Sequence, residues 1–214
     1  MPICVYYHCD LVFESTEGGL SAIRNVAAFQ NTHNYNFVTE EQLMKAIAAA
    51  YNLEISVSNA DGAKGGRSNI MLTPSAKATD FPLFDERYQD SCGVRIEFGE
   101  AYEAGNFTTD ADIWYRDENA LYISLNRPVR VYQTNGKTAD VTHLEMVNIA
   151  AEISKTENGA VVAFLDDGMM QITVAGDAEI TTADWEITRA DGKTVFTKFG
   201  TAETAEIIFK GDNQ

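Results

Sequence analysis

Residues 184–199 read DWEITRADGKTVFTKF, with β-branched and aromatic residues on both sides of Asp191-Gly192. An Asp-Gly pair in such a stretch predicts a two-residue hairpin, because both residues tolerate the positive φ of a type I′ turn. Two further pairs, Asn135-Gly136 and Asp167-Gly168, separate VRVYQ from TADV and VVAFL from MMQITV. The C-terminal part of the chain is therefore predicted to be rich in β-hairpins.

Strand patterns also occur upstream and downstream of these turns. Each is a short run that alternates polar and apolar residues or is rich in β-branched and aromatic ones. The runs are LEISVS (53–58), IMLT (70–73), VRIEF (94–98), DIWYR (112–116), LYISL (121–125) and TAEIIF (204–209).

The opening stretch, ICVYYHCDLVFE (3–14), predicts a strand with one buried face. Its odd positions are apolar or aromatic and its even positions are mostly polar, which is the period of a β-strand. Cys4 and Cys9 then point to opposite faces and cannot bind one metal ion together. Tyr6, His8 and Asp10 share the polar face, where a tuned imidazole is one interpretation and an ordinary strand face is the other.

Three helices are predicted. Thr39 and Gln42 form a capping box at the start of a helix that ends near Asn52. Thr142 and Glu145 repeat that pattern and predict a helix over about 142–155, ended by Asn158-Gly159. A weaker pattern covers about 20–30. The apolar stripes expected to face the core are Leu43, Ile47, Ala50 and Tyr51 in the first helix and Met146, Ile149, Ala150 and Ile153 in the second.

This element order predicts an α+β fold with mainly antiparallel sheet and about three helices. It begins with a β-α-α-β segment and ends in the hairpin-rich part. We expect an α/β N-terminal part over 1–75 and a β-rich part with one helix over 76–214. One continuous domain is the alternative.

The charge is unusual for a globular chain. Among 214 residues there are 32 Asp plus Glu against 16 Lys plus Arg, which gives a net charge of −16. Such a chain repels nucleic acid and anionic membrane and attracts basic surfaces. The chain has three cysteines, and a small, odd number argues against a disulfide framework. No run approaches the roughly 18 apolar residues that a membrane-spanning helix needs. We therefore expect a cytoplasmic protein that binds neither nucleic acid nor membrane directly.

Acidic residues are concentrated between Asp80 and Glu118. This segment contains 11 carboxylates, three arginines and eight interleaved aromatic residues. Carboxylates beside aromatic anchors suit the capture of a basic protein surface. The predicted partner-binding residues are Asp80, Asp85, Glu86, Asp90, Glu97, Glu100, Tyr102, Glu103, Asp110, Asp112, Asp117 and Glu118. A second acidic run extends from Asp166 to Asp191, and in both runs a solvated surface is the alternative interpretation.

These patterns favour a non-enzymatic binding protein that blocks a basic, nucleic-acid-handling partner, with its acid acting as a nucleic-acid mimic. In composition the chain is similar to phage-type anti-defence inhibitors, including anti-CRISPR proteins. One alternative is a structural β-rich component of a virion or tail. Another is a small transferase that uses the Tyr6/His8 strand face. No catalytic motif is present in the sequence, and no cofactor or metal is predicted.

Overall fold

The computed structural model describes residues 38–59, 69–77, 85–89, 92–99, 106–134 and 141–210. The chain divides into two compact units, Met1–Glu40 and Glu41–Gln214. Apart from Glu40, every helix and strand given below belongs to the second unit.

Two helices and fifteen strands lie within the described ranges. The helices are α1 (Glu40–Asn52) and α2 (Glu86–Gln89). The strands are β1 (Leu53–Asn59), β2 (Asn69–Ala76), β3 (Gly93–Glu97), β4 (Phe107–Thr109), β5 (Trp114–Arg116), β6 (Ala120–Ser124), β7 (Val129–Gln133), β8 (His143–Val147), β9 (Ala151–Thr156), β10 (Gly159–Phe164), β11 (Gly168–Ala175), β12 (Ala178–Ile180), β13 (Glu186–Ala190), β14 (Lys193–Gly200) and β15 (Thr204–Phe209).

The strands form four small antiparallel sheets in a propeller-like ring. Their orders are β1-β2-β7-β4, β3-β6-β5, β13-β14-β11-β8 and β12-β15-β10-β9. Of the described residues, 59% lie in strands and 12% in helices. The prediction of an α+β fold with about three helices is therefore wrong, and the described part of the chain is mostly β.

The predicted strand runs that lie wholly within the described residues each overlap a strand of the structure, and β7 and β15 match their predicted limits at both ends. The Asp191-Gly192 hairpin is confirmed, because β13 pairs with β14 and the two turn residues have φ values of 52° and 74°. The Asp167-Gly168 hairpin is wrong. The strands on either side of that pair, β10 and β11, belong to different sheets.

The predicted helix over 142–155 is wrong, since the segment forms β8 and β9. The same residues contain a period-2 series, Ile149, Ala151 and Ile153, and the structure buries the first two of them. Asn148 separates the strands and binds β11 with its side chain: Oδ1 accepts from the Gln171 amide at 2.7 Å and Nδ2 donates to the Met169 carbonyl at 2.7 Å. Pairing with β11 thus replaces the local bonds that a helix would have made.

Gly159, predicted to end that helix, follows the two-residue turn between β9 and β10 instead. A Cβ atom at this position would lie 1.9 Å from the Ile207 carbonyl oxygen of the neighbouring β15. Glycine is therefore required here by the close approach of two strands rather than by a helix terminus.

The predicted helix at 39–52 is confirmed as α1, but its orientation differs from the prediction. The face that packs inward contains Ala48, Ala49 and Asn52. Ile47 and Tyr51, predicted to face the core, are 46% and 78% exposed. The packed side of α1 therefore consists of small and polar side chains, whereas Met44, Ile47 and Tyr51 lie toward solvent.

Three groups of buried side chains hold the sheets together. The largest lies between the sheets that contain β8–β15 and includes Phe196, Met170 and Ile207. The second includes Leu72 of β2 and Leu121 of β6. A small third group joins Ala49, Tyr88 and Cys92. This third group is where α1 and α2 meet, and it supports the site described next.

Several predictions fall outside the described residues. These are the opening strand with Tyr6, His8 and Asp10, the helix over 20–30 and the Asn135-Gly136 turn. The division at 75/76 stays a prediction. The sheet β1-β2-β7-β4 contains strands from both sides of that position.

Candidate functional site

Seven of the twelve predicted partner-binding residues lie in the described part of the chain. These seven are Asp85, Glu86, Glu97, Asp110, Asp112, Asp117 and Glu118. The other five, Asp80, Asp90, Glu100, Tyr102 and Glu103, lie outside it. The seven occupy different environments, and they are therefore taken in turn.

Asp110 and Asp112 belong to a charge-balanced group, here called the Asp112 cluster, with Asn126, Arg127 and Lys155. Asp112 is only 7% exposed. Its carboxylate accepts hydrogen bonds from Arg127 Nη2 and Asn126 Nδ2, both at 2.9 Å, and Lys155 Nζ lies 3.5 Å away. Burial acts to raise the pKa of Asp112, but the bonds from Arg127 and Asn126 outweigh it and the pKa is lowered.

Lys155 links this cluster to another sheet. It extends from β9 and donates to the carbonyl oxygens of Asp110 and Ala111 at 3.0 and 2.8 Å. Asp110 also accepts from the Arg130 amide at 2.7 Å, which fixes the start of the β4–β5 connection. These carboxylates stabilise the fold, and the cations beside them cancel most of their charge.

Asp117 shapes the β5–β6 turn. Its carboxylate accepts from the amides of Asn119 and Ala120 at 2.8 and 2.7 Å and from the Tyr122 hydroxyl at 3.0 Å. The bond from the Asn119 amide is the main reason that the pKa of Asp117 is lowered. The neighbouring Glu118 is exposed.

Glu97 and Asp85 each have an arginine partner on their own element. Glu97 pairs with Arg95 on the exposed side of β3. Asp85 accepts from the Arg87 amide at 3.1 Å and from its guanidinium at 2.8 Å, so that it caps α2. These bonds from Arg87 lower the pKa of Asp85. Glu86, at the first position of α2, is exposed.

A second group, which sequence analysis did not identify, surrounds Tyr88. We call it the Tyr88 cluster and define it as Tyr88 with Glu41, Lys45, Asp85 and Asp166. The Tyr88 hydroxyl donates to the Asp166 carboxylate, 78 positions away. Lys45 Nζ lies 5.4 Å from the centre of the Tyr88 ring and 2.8 Å from Glu41 Oε1. Residues from α1, α2 and the β10–β11 connection therefore meet at one place.

The electrostatics of the Tyr88 cluster are dominated by carboxylates. Tyr88 is 4% exposed, and its pKa is raised by burial and by the hydrogen bond to Asp166. The hydrogen bond to Glu41 raises the pKa of Lys45 against the effect of burial, and the charges of Asp166 and Asp85 act in the same direction. Lys45 thus lies among three carboxylates, one of which, Asp85, is also paired with Arg87.

The surroundings of the Tyr88 cluster fix its geometry. Gln42 Nε2 of α1 donates to the Asp167 carbonyl at 3.2 Å, and Asp167 Oδ1 accepts from the Ala202 amide at 2.8 Å. The Leu165 amide donates to the Ala150 carbonyl at 3.0 Å. The connection between β10 and β11 is therefore held at both ends, which positions Asp166 under Tyr88.

The sequence contained only part of the signal for this site. Asp85 and Glu86 were in the first acidic run, and Asp166 begins the second. Glu41 belonged to neither run. The two acidic runs meet because β10 and β11 lie in different sheets. The predicted Asp167-Gly168 hairpin would have paired these two strands and so excluded this arrangement.

His143, predicted in the first turn of a helix, lies on β8 and joins two sheets. Its ring stacks on Trp114 of β5 with centroids 3.5 Å apart and an interplanar angle of 1°. Nδ1 lies 2.6 Å from the Val141 carbonyl and Nε2 lies 3.1 Å from the Trp114 carbonyl. Burial lowers the pKa of His143, although both carbonyls oppose this effect.

The described residues also include the ligand types of a metal site and one cysteine thiol. No group of three or more His, Cys, Asp or Glu side chains there is arranged to hold a metal ion. Cys92 is buried, and its Sγ lies 3.7 Å from the Tyr88 carbonyl oxygen. Neither described helix is long and apolar enough to cross a membrane.

No protein-family model, no curated protein and no solved structure matches the chain. The terms inhibitor and anti-defence, which the sequence suggested, have no support from these comparisons and are withdrawn.

Proposed function

We propose that the protein binds a basic protein surface through the Tyr88 cluster and the exposed carboxylates next to it. The observation that carries the proposal is the hydrogen bond between Tyr88 and Asp166. This bond joins the two acidic runs of the sequence at one position on the molecule. The proposal keeps Asp85 and Glu86 from the predicted residues and adds Glu41 and Asp166.

The arrangement favours association with cations. Glu41 is 69% exposed, and Glu86 and Glu152 are also exposed. Glu152 acts electrostatically on Arg87, which places it beside α2. Exposed carboxylates that lie close together attract a basic partner over a distance and then pair with it at short range. The partner is a basic protein surface of the kind that nucleic-acid-binding proteins carry, and the cytoplasm is the compartment that the sequence favours.

Binding of a fluorescein-labelled deca-arginine peptide tests the proposal. The test variant is Glu41→Lys/Glu86→Lys/Glu152→Lys. The control is Glu118→Lys/Glu157→Lys/Glu186→Lys, which changes the net charge equally at three exposed positions on turns and an edge strand. We expect the test variant to weaken binding at least about tenfold more than the control, because each exposed pair contributes at most about 1 kcal/mol.

The salt dependence of binding tests whether the peptide is attracted by exposed charges at the site. The difference between the two variants should shrink as ionic strength rises from about 50 to 500 mM, because exposed charges are screened. Equal loss of binding in both variants would show that net charge alone attracts the peptide and would overturn the proposal. A labelled DNA duplex should bind none of the three proteins, since like charges repel.

A further inference from the structure

An exposed apolar surface is formed by side chains of α1 and of β1, the strand that directly follows it. We call it the α1–β1 face and define it as Met44, Ile47, Tyr51, Ile55 and Val57. These side chains are 36%, 46%, 78%, 39% and 63% exposed. A row of large apolar side chains open to solvent is uncommon on a monomeric protein and marks a surface for association.

The spacing of the three helical residues places them on one side of α1. Met44, Ile47 and Tyr51 follow each other at intervals of three and four, so that they share one side of the helix. The adjoining side of α1, with Ala48, Ala49 and Asn52, packs inward. The large apolar residues therefore lie outward because small residues occupy the packed side.

The α1–β1 face borders the Tyr88 cluster directly. Glu41 lies one turn before Met44 and Lys45 on α1, and Lys45 lies over the Tyr88 ring. An apolar row is thus next to exposed carboxylates on the same helix. At the other end of the helix, Lys77 Nζ lies 5.8 Å from the centre of the Tyr51 ring, a distance at which an aromatic face holds a cation.

We infer that the α1–β1 face docks a basic amphipathic helix, whose apolar side covers Met44, Ile47 and Tyr51 while its lysine or arginine residues contact Glu41 and Glu86. This inference rests on the proposed function and specifies the kind of partner. An apolar stripe with charged residues along its border is the surface that such a helix fits.

Charge decides against a second copy of this chain as the occupant. A second copy brings another net charge of −16. A cationic partner gains from the same carboxylates that would repel a second copy.

The probe is an 18-residue peptide of leucine and lysine with leucines at helical spacing, compared with a scrambled peptide of the same composition. Ile47→Ser/Tyr51→Ser removes the centre of the α1–β1 face. Phe199→Ser/Met169→Ser is the matched control, because these two side chains form an exposed apolar pair across β14 and β11, with exposures of 77% and 42%. All four positions are exposed, so both variants should unfold at the temperature of the unmodified protein.

We expect the amphipathic peptide to bind at least about tenfold more tightly than the scrambled one. Ile47→Ser/Tyr51→Ser should remove that preference, the control should keep it, and deca-arginine should bind both variants equally. Equal binding of the two peptides, or equal loss in the control, would overturn the inference. A dimer in sedimentation that Ile47→Ser/Tyr51→Ser abolishes would also overturn it, in favour of self-association.

The two proposals fail in different ways. If deca-arginine still distinguishes the two charge-reversal variants but the peptides bind alike, the helix-docking inference is wrong and the acidic site remains. If the charge-reversal variants behave alike, the proposed function is wrong and the docking inference falls with it.

Discussion

The Asp112 cluster and the Tyr88 cluster both contain carboxylates of the 80–118 acidic segment, yet they differ in burial and in the balance of charge. In the Asp112 cluster a nearly buried carboxylate has two cations and an amide around it. In the Tyr88 cluster Lys45 lies among three carboxylates, Arg87 pairs with one of them, Asp85, and Glu41 is mostly in solvent. Burial makes the difference, because a buried charge must be compensated and an exposed one need not be. Acidic composition alone therefore does not identify a binding surface.

The largest expected effect on stability comes from removing a cation that pairs with the buried carboxylate of Asp112. Arg127→Leu removes the strongest partner of Asp112 and should lower the free energy of unfolding by about 3 kcal/mol. Arg95→Leu is the control, because its pair with Glu97 is exposed, and it should cost less than about 1 kcal/mol. Urea denaturation at neutral pH measures both. Equal effects would mean that the Asp112 cluster does not differ from a surface ion pair.

The stability of the protein at low pH should show the same difference between a buried and an exposed carboxylate. The pKa of Asp112 is lower in the folded chain than its ordinary 3.8, so the folded state binds this proton less readily than the unfolded state does. Its contribution to stability is full above the ordinary pKa and is lost as pH falls below it. Asp112→Asn should therefore flatten the acid decline of unfolding free energy. Glu118→Gln, at an exposed position, should leave the decline unchanged.

A smaller effect is expected at the phenol of the Tyr88 cluster. Tyr88→Phe leaves Asp166 without a buried hydrogen-bond donor and should lower the free energy of unfolding by about 1–2 kcal/mol. The raised pKa of Tyr88 means that its contribution is present below the ordinary pKa of 10 and is lost as pH rises through the folded value. The unmodified protein should therefore lose its advantage over Tyr88→Phe in strong alkali. Tyr115→Phe, at a more exposed ring, is the control.

The smallest effect should come from the exposed edge of the Tyr88 cluster. Glu41→Gln breaks an i, i+4 pair with Lys45 and should change the free energy of unfolding by less than about 0.5 kcal/mol. A loss above about 2 kcal/mol would show that Glu41 supports the fold, and would remove the reason to treat it as a residue free to bind a partner.

Local patterns predicted the strands well and their partners poorly. Asp191-Gly192 was read correctly because a two-residue turn fixes its own geometry. Asp167-Gly168 has the same composition, but β10 and β11 pair with β15 and β14 instead of with each other. The capping-box pattern at Thr142 was overridden in the same way by pairing with β11. Long-range pairing is decided by packing, which a local pattern does not contain.

The sequence predicted only those residues of the candidate site that are close to one another in the chain. Asp85 and Glu86 lie on one short element and were found from the density of acid around them. Asp166 was in a separate acidic run. Glu41 lies in α1, and the side of this helix that faces solvent was predicted to face the core. The burial of Asp112 could not be read from its neighbours in sequence, because Arg127 and Lys155 come from other strands or turns.

Amide chemical-shift changes on titration with deca-arginine test the central claim most directly. They can be followed residue by residue in an isotope-labelled sample of this 23.6 kDa chain. The account predicts changes concentrated at residues 41–52, 85–88 and 165–167, with residues 110–112 and 126–127 unaffected. Changes centred on the Asp112 cluster, or spread evenly over all acidic residues, would contradict it.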